Sequence, residues 1–175
     1  MVIPKVRVVH PVDRLICELD LSGQRYMRVC GESGSGKSTY LNGLAVELRR
    51  IGKRVLYQSQ SRRYPKGYTP KEYACLINAS EEFYEGLRIL DVDLEKDFAF
   101  MSGGEIQRIA LAECLVSDCE YILLDETFNA IDNSRIDQVM KLLEKFSQAS
   151  NNLIVYISHI NIQFENEKKL YIDKY

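Results

Sequence analysis

The chain sets 23 Lys and Arg against 25 Asp and Glu in 175 residues, a net charge of −2 that gives no electrostatic reason to expect nucleic acid as a partner. With 46% hydrophobic residues it can fill one core but not two large domains. The short basic pair Arg62-Arg63 reads as solvated surface.

Residues 5 to 20 alternate loosely between apolar and polar, as short strands around Pro11 would. Gln24 to Gly31, around Tyr26-Met27-Arg28-Val29-Cys30, is a strand ending in a glycine-rich loop, and Lys37 to Arg50 then reads as a helix. Leu41, Leu44, Ala45 and Leu48 recur there at three- and four-residue spacing, and Gly52 suits the C-terminal cap. Arg54 to Tyr57 is a second strand, followed by a turn-rich stretch with Pro65, Gly67 and Pro70. Lys71 to Asp93 is mostly helical, as is Glu105 to Val116. Tyr121 to Leu124 is a continuous apolar run ending in Asp125-Glu126, the pattern of a central strand in a parallel sheet. Asn133 to Phe146 is an amphipathic helix. Leu153 to Ile157 is another buried strand, ending at Ser158-His159, and residues 169 to 172 suit an edge strand. Alternating strands and helices predict an α/β fold with a mostly parallel central sheet, all in one domain over residues 1–175.

The five cysteines, Cys17, Cys30, Cys75, Cys114 and Cys119, are odd in number and contain no C-x-x-C, so neither a disulfide framework nor a zinc site is implied. A reducing cytosol is the expected setting. Met1 to Lys5 shows no secretory leader, and no run nears the roughly 20 apolar residues that span a bilayer. Any membrane role is therefore expected to come through a partner.

The chemistry lies in two glycine-rich turns. Gly31-Glu32-Ser33-Gly34-Ser35-Gly36-Lys37-Ser38, continuing to Thr39, fills every defining position of G-x-x-x-x-G-K-[ST] between a strand and a helix. Glycines there let backbone N–H groups turn inward on phosphate oxygens, and the helix N-terminus adds positive potential. Lys37 is placed to reach the β- and γ-phosphates, and Ser38 to hold Mg²⁺. Asp125 ends a buried strand, where an aspartate is costly unless it binds a cation or hydrogen bonds. Its expected role is also Mg²⁺, while the adjacent Glu126 is placed to polarise the attacking water. The second turn, Ser102-Gly103-Gly104-Glu105, opens a helix. A pair of phosphate-seeking turns in one short chain suggests an ATPase that closes as a dimer.

In this order the motifs resemble those of the ATP-binding cassette (ABC) ATPases, whose fold is the P-loop NTPase sheet with a small helical subdomain. The resemblance rests on the loop at 31–38, the signature at 102–108 continuing to Ala112, and the Walker B stretch Ile122 to Glu126. It extends to Asn129-Ala130-Ile131-Asp132 as the D-loop and to His159 as the switch histidine. It implies head-to-tail pairing with a second copy or a paralogous subunit, each ATP held between one unit's phosphate loop and the other's Ser102, Gly103 and Gly104. Asp132 would then lie at the dimer seam and His159 would contact the γ-phosphate and water. A histidine at a strand end is by itself most simply structural; the pattern reverses that reading. Gln60 would be the Q-loop glutamine, acting in catalysis and on the metal, with Gln58 the alternative. Residues 61–100 resemble the helical subdomain that, in transporters, docks the membrane subunit.

The chain also departs from the family pattern. Only 22 residues separate Lys37 from Gln60, so the antiparallel β arm is expected to be reduced or absent. No Tyr, Phe or Trp precedes Tyr26 to stack on adenine, which leaves His10 as a candidate. The leading expectation is an ATPase subunit energising a separate membrane permease from the inner face of a membrane. Alternatives are a soluble ABC ATPase acting on nucleic acid, the ribosome or protein assembly, and a non-catalytic nucleotide-binding regulator.

Overall fold

Two strands of the sheet, β5 (Tyr121–Asp125) and β6 (Leu153–Ile157), are buried at every position, which only a sheet covered on both faces allows. The computed structural model describes residues 5–10, 14–20, 24–59 and 61–172, with side chains from residue 24 onward. With β3 (Tyr26–Cys30), β4 (Val55–Gln58) and β7 (Lys168–Tyr171) they form a five-stranded sheet in the order β4-β5-β6-β3-β7. Every pairing in it is parallel. A separate antiparallel pair, β1 (Lys5–His10) and β2 (Arg14–Asp20), carries a bulge between Val8 and Val9. The β arm is thus reduced to a hairpin, which lies along the first helix.

The pleat sorts the core into two layers. Tyr121, Leu123, Met27, Val29, Val155 and Ile157 face helix α1 (Lys37–Arg50), meeting Tyr40, Leu41, Leu44 and Leu48. Ile122, Leu124, Ile154 and Tyr156 face the other way, toward Phe83, Leu87, Ile109, Leu111, Val139 and Leu143. Those residues come from α3 (Glu81–Ile89), α4 (Gly103–Glu113) and α5 (Asn133–Ser150). Each fully buried Leu, Ile, Val or Phe contributes about 1.5–3 kcal/mol.

Three helix boundaries differ from expectation. The segment 71–93 breaks into α2 (Pro70–Leu76) and α3, because Asn78 takes a left-handed conformation at φ 48° and turns the chain. Helix α4 starts at Gly103, capped by Ser102, and hands over to a 3₁₀ turn at Cys114–Val116. Helix α5 runs on to Ser150, past the last apolar repeat at Phe146; the left-handed Asn151 (φ 52°) ends it, and Ser147 inside it is buried with its hydroxyl on the Asn152 carbonyl.

Because the strands are parallel, the turns after β3, β5 and β6 emerge at one edge of the sheet. These turns carry residues 31–38, Glu126 and His159 respectively. Ligands of open parallel sheets bind at that edge.

Candidate functional site

The phosphate loop is shaped by its glycines. Gly31 has φ +152°, and a Cβ there would meet the Ile172 carbonyl oxygen at 2.4 Å, so β7 can pack against the loop only if no side chain intervenes. Gly36, at φ +89°, is the left-handed N-cap of α1, a conformation costly for residues with a Cβ. Lys37 is buried, and its Nζ donates to the carbonyls of Gly31 at 2.9 Å and Glu32 at 2.7 Å. The ammonium therefore sits across the loop mouth. Glu32, Ser33, Gly34, Ser38 and Thr39 are exposed around it, with Ser35 half-buried.

Asp125 lies on the same pleat face as Tyr121 and Leu123, which points it at the start of α1. Ser38 Oγ donates to its Oδ1 at 3.0 Å, and Tyr57 Oη donates to its Oδ2 at 3.3 Å. Burial raises the Asp125 pKa, while these two hydrogen bonds work the other way. Burial, and then the Asp125 charge, push the Tyr57 phenol up to about 12, so it stays a donor at neutral pH. A hydroxyl and a carboxylate oxygen 3.0 Å apart suit an ion that takes oxygen ligands and draws the rest from phosphate and water, as Mg²⁺ does.

Glu126 leaves the strand with φ 57°, a left-handed conformation that costs a non-glycine residue about 1–2 kcal/mol. That twist brings its Oε1 to 2.8 Å from His159 Nε2. An ionised carboxylate only accepts, so the bond requires a proton on Nε2. Asn129 closes the group: its Nδ2 donates to Glu126 Oε2 at 3.3 Å, and its Oδ1 accepts from the His159 backbone N–H at 3.4 Å. Between loop residues 33–39 and the Glu126–His159 pair lies a cleft of about 300 Å³. It can hold a polyphosphate between N–H groups and lysine on one wall and a carboxylate–imidazole pair on the other.

The second glycine-rich turn lies elsewhere. Ser102 is exposed and forms a capping box, its Oγ accepting from the Glu105 N–H at 3.2 Å and its N–H donating to Glu105 Oε2 at 2.8 Å. Gly103 is exposed with no atom within 4 Å of a built Cβ. Neither turn residue lines the cleft of its own chain. Arg108 Nη1 reaches the Ala130 carbonyl at 3.5 Å, tying this helix to the turn that carries Asp132, which is itself exposed.

Gln60 and the His10 side chain lie outside the described residues. Gln58, the alternative to Gln60, is fully buried and donates to Glu113 Oε2 at 2.7 Å rather than lining the cleft. Sequence reasoning singled out neither Tyr57 nor the contacts of Asn129. Tyr57 had no signal in the sequence: it reaches Asp125 only because β4 pairs with β5, where it lies directly across from Leu123, two residues before Asp125. Cys30, Cys75, Cys114 and Cys119 are free, and among the described residues no helix is long and apolar enough to cross a membrane.

A parallel sheet with a phosphate loop after β3 and an Asp-Glu pair at the end of β5 defines a P-loop nucleotide-binding fold. The family model described as "ABC transporter" matches residues 47–129. The molybdate import ATP-binding protein MolC of Haemophilus influenzae is 32% identical over 161 residues, covering 80% of this chain and 64% of that protein. The thiamine import ATP-binding protein ThiQ of Histophilus somni is 29% identical over 180 residues, 86% of this chain and 83% of the relative. A bacterial ABC transporter cassette solved as a dimer superposes with a TM-score of 0.69 at 21% identity, covering 89% of this chain and 84% of that one. That likeness shows the fold. Residues 47–129 thus carry an ABC transporter domain, and the chain is homologous to ATP-binding subunits of ABC transporters. It spans 64% of MolC, and 49% and 47% of two molybdenum-import relatives.

Proposed function

We propose that this chain is a single ABC-type nucleotide-binding domain that binds and hydrolyses ATP, closes head to tail on a second such unit, and energises a membrane permease. The observation that carries this reading is the convergence of Lys37, the Ser38–Asp125 pair and the Glu126–His159 pair on one cleft. The triphosphate lies along residues 31–39, whose N–H groups and the α1 N-terminus meet its charge. Lys37 leaves its two carbonyls for the β- and γ-phosphates. Ser38 and Asp125, with Gln60 as a further ligand, would hold Mg²⁺, which when bound would offset phosphate charge. Glu126 takes the proton of the attacking water, and His159 steadies Glu126 and the γ-phosphate. Ser102, Gly103 and Gly104 supply the facing half of the partner's site, with Asp132 at the seam.

The transport reading is supported by the likeness to MolC, a molybdate import ATP-binding protein, and ThiQ, a thiamine import ATP-binding protein. Residues 61–100, containing α2 and α3, form the subdomain that docks the permease and keeps the chain at the inner face of a membrane. Titration with labelled ATP and Mg²⁺ tests the site: Lys37→Ala should abolish tight binding, and unchanged affinity would sink the assignment. Recovery of the native protein with ribosomes or DNA, and not with a polytopic membrane protein, would end the transport reading while leaving the ATPase standing.

A further inference from the structure

Residue 28 is an arginine in a strand otherwise suited to burial, and it does not point into water. β3 runs between β6 and β7, with Arg28 level with Tyr156 on one side and Lys169 on the other. Its guanidinium lies 5.9 Å from the centre of the Tyr156 ring. From there Nη1 donates to the Ile162 carbonyl at 2.9 Å, and Nη2 donates to the carbonyls of Ser158 at 3.1 Å and Ile160 at 3.3 Å. All three acceptors belong to the turn that follows β6. Ser158 and Ile162 are buried, so their carbonyls need partners within the protein. The planar fork of arginine reaches three alternate carbonyls at once, which a lysine ammonium cannot do in the same geometry.

Between these pinned carbonyls stands His159. Its side chain is 52% exposed, so packing does little to fix it. Its place is set by its main chain, held from below by Arg28, and by two polar contacts above, to Asn129 and Glu126. Three residues after Arg28 the same strand opens into the phosphate loop. One strand thus carries the loop and, through one side chain, sets the turn on the opposite wall of the cleft.

We infer that Arg28 is a positioning residue for hydrolysis, acting through His159. The inference rests on the ATPase reading for its kinetic consequence but not for its geometry. Arg28→Met removes all three bonds, and Arg28→Lys keeps the charge and most of the stem but not the fork. Arg25 is the internal control, because it immediately precedes β3 and donates to a carbonyl, Ser147 at 2.9 Å, well away from the cleft.

The full chain has two histidines, so its imidazole NMR spectrum is simple, and the His159 signals are assigned by their loss in His159→Ala. In both Arg28 variants these signals should move to the position of a free, solvent-averaged imidazole; in Arg25→Met they should stay. ATP affinity should remain within about threefold of the native protein. Turnover should fall on the order of tenfold or more, the scale of a small misplacement of a reacting group. In a His159→Ala background, Arg28→Met should cause no further loss. Unmoved His159 signals in Arg28→Lys, or losses that multiply in the double variant, would overturn the inference. If Arg28→Met does not fold, Arg28→Lys decides. A native protein that binds ATP but never hydrolyses it would refute the ATPase reading, and the imidazole spectra would still decide the role of Arg28.

Discussion

Two helices of this protein begin with the same capping device and use it differently. At α2, Thr69 Oγ1 accepts from the Glu72 N–H at 3.3 Å and the Thr69 N–H donates to Glu72 Oε2 at 2.8 Å. At α4, Ser102 and Glu105 make the same reciprocal pair at 3.2 and 2.8 Å. Between cap and glutamate, however, α2 has Pro70 and Lys71, whereas α4 has Gly103 and Gly104. Pro70 is buried and fixes the first turn at a φ that helices favour. The two glycines of α4 add no such preference and leave the N-terminus open to whatever approaches it. Under the proposed function, the bare first turn of α4 is what a ligand on a partner unit approaches, whereas α2 has only to start. The cleft at residues 31–39 is lined by this chain alone, and in the proposed dimer the open start of α4 is the facing half that it lends to a partner.

The largest test of that difference joins the two regions. Glu126→Gln keeps size and hydrogen bonding but removes the base, and should slow hydrolysis on the order of 10²-fold or more while leaving ATP binding intact. With the chemical step blocked, ATP but not ADP should hold two units together, because the clamp needs the γ-phosphate. Adding Ser102→Arg should remove that dimer without affecting ATP binding by each monomer. An equivalent bulky change at α2, Thr69→Arg, should leave the dimer intact. Light scattering with each nucleotide decides, and a dimer that survives Ser102→Arg would refute the clamp.

Acid should open α4 in a defined window. Hydrogen bonds from the Lys96 ammonium, at 2.9 and 3.0 Å, and then from the Ser102 N–H, hold the Glu105 carboxyl down to about 2. The folded pKa lies below that of an unfolded glutamate, about 4.3. The contribution to stability is therefore fully present above pH ~4.3 and is lost as pH falls through the folded value. Amide exchange at Ser102 and Glu105 should accelerate across that range, and Lys96→Met should shift the onset upward. Protection that persists unchanged in Lys96→Met would show that the ion pair is not the cause.

Losing a cap side chain costs about 1 kcal/mol. Thr69→Ala and Ser102→Ala should therefore lower stability by similar amounts in denaturant titrations. Only Ser102→Ala should also weaken the ATP-dependent dimer in the Glu126→Gln background, because in the proposed dimer only that hydroxyl would face a partner's phosphate. Equal effects of the two variants on the dimer would remove the distinction between the helix starts.

Where local backbone chemistry dictates structure, the sequence was readable. Residues 31–38 can form little else between a strand and a helix, and the apolar run before Asp125 announced a buried strand. The strand order β4-β5-β6-β3-β7 was not readable, because it depends on pairings between residues far apart in the chain. Periodicity ended α5 at Phe146, since polar residues follow, yet Ser147 is buried and bonds the Asn152 carbonyl. Gln58 looked able to serve the Q-loop until the pleat turned it to Glu113. Arg28 drew no notice within its strand. Its use shows only once β6 lies beside β3 and the following turn folds back over both.

The smallest effect makes the sharpest distinction. Gly103 is helical, its φ is not in the left-handed region, and a Cβ built on it meets nothing within 4 Å. Gly103→Ala is thus free of strain and restricts the unfolded chain, so it should stabilise the protein by about 0.4–1 kcal/mol, read as a higher denaturant midpoint at unchanged slope. If the helix start were merely a cap, nothing else would change. If it receives the partner's γ-phosphate, the added methyl stands where phosphate oxygens must approach the N–H groups, and the ATP-dependent dimer of the Glu126→Gln protein should weaken. ATP binding by the monomer should not change, because the methyl lies outside its own cleft. A variant that is more stable yet dimerises less would show that this glycine serves binding at the expense of folding. A variant that is more stable and dimerises as before would show that the partner's phosphate does not meet α4 at this residue.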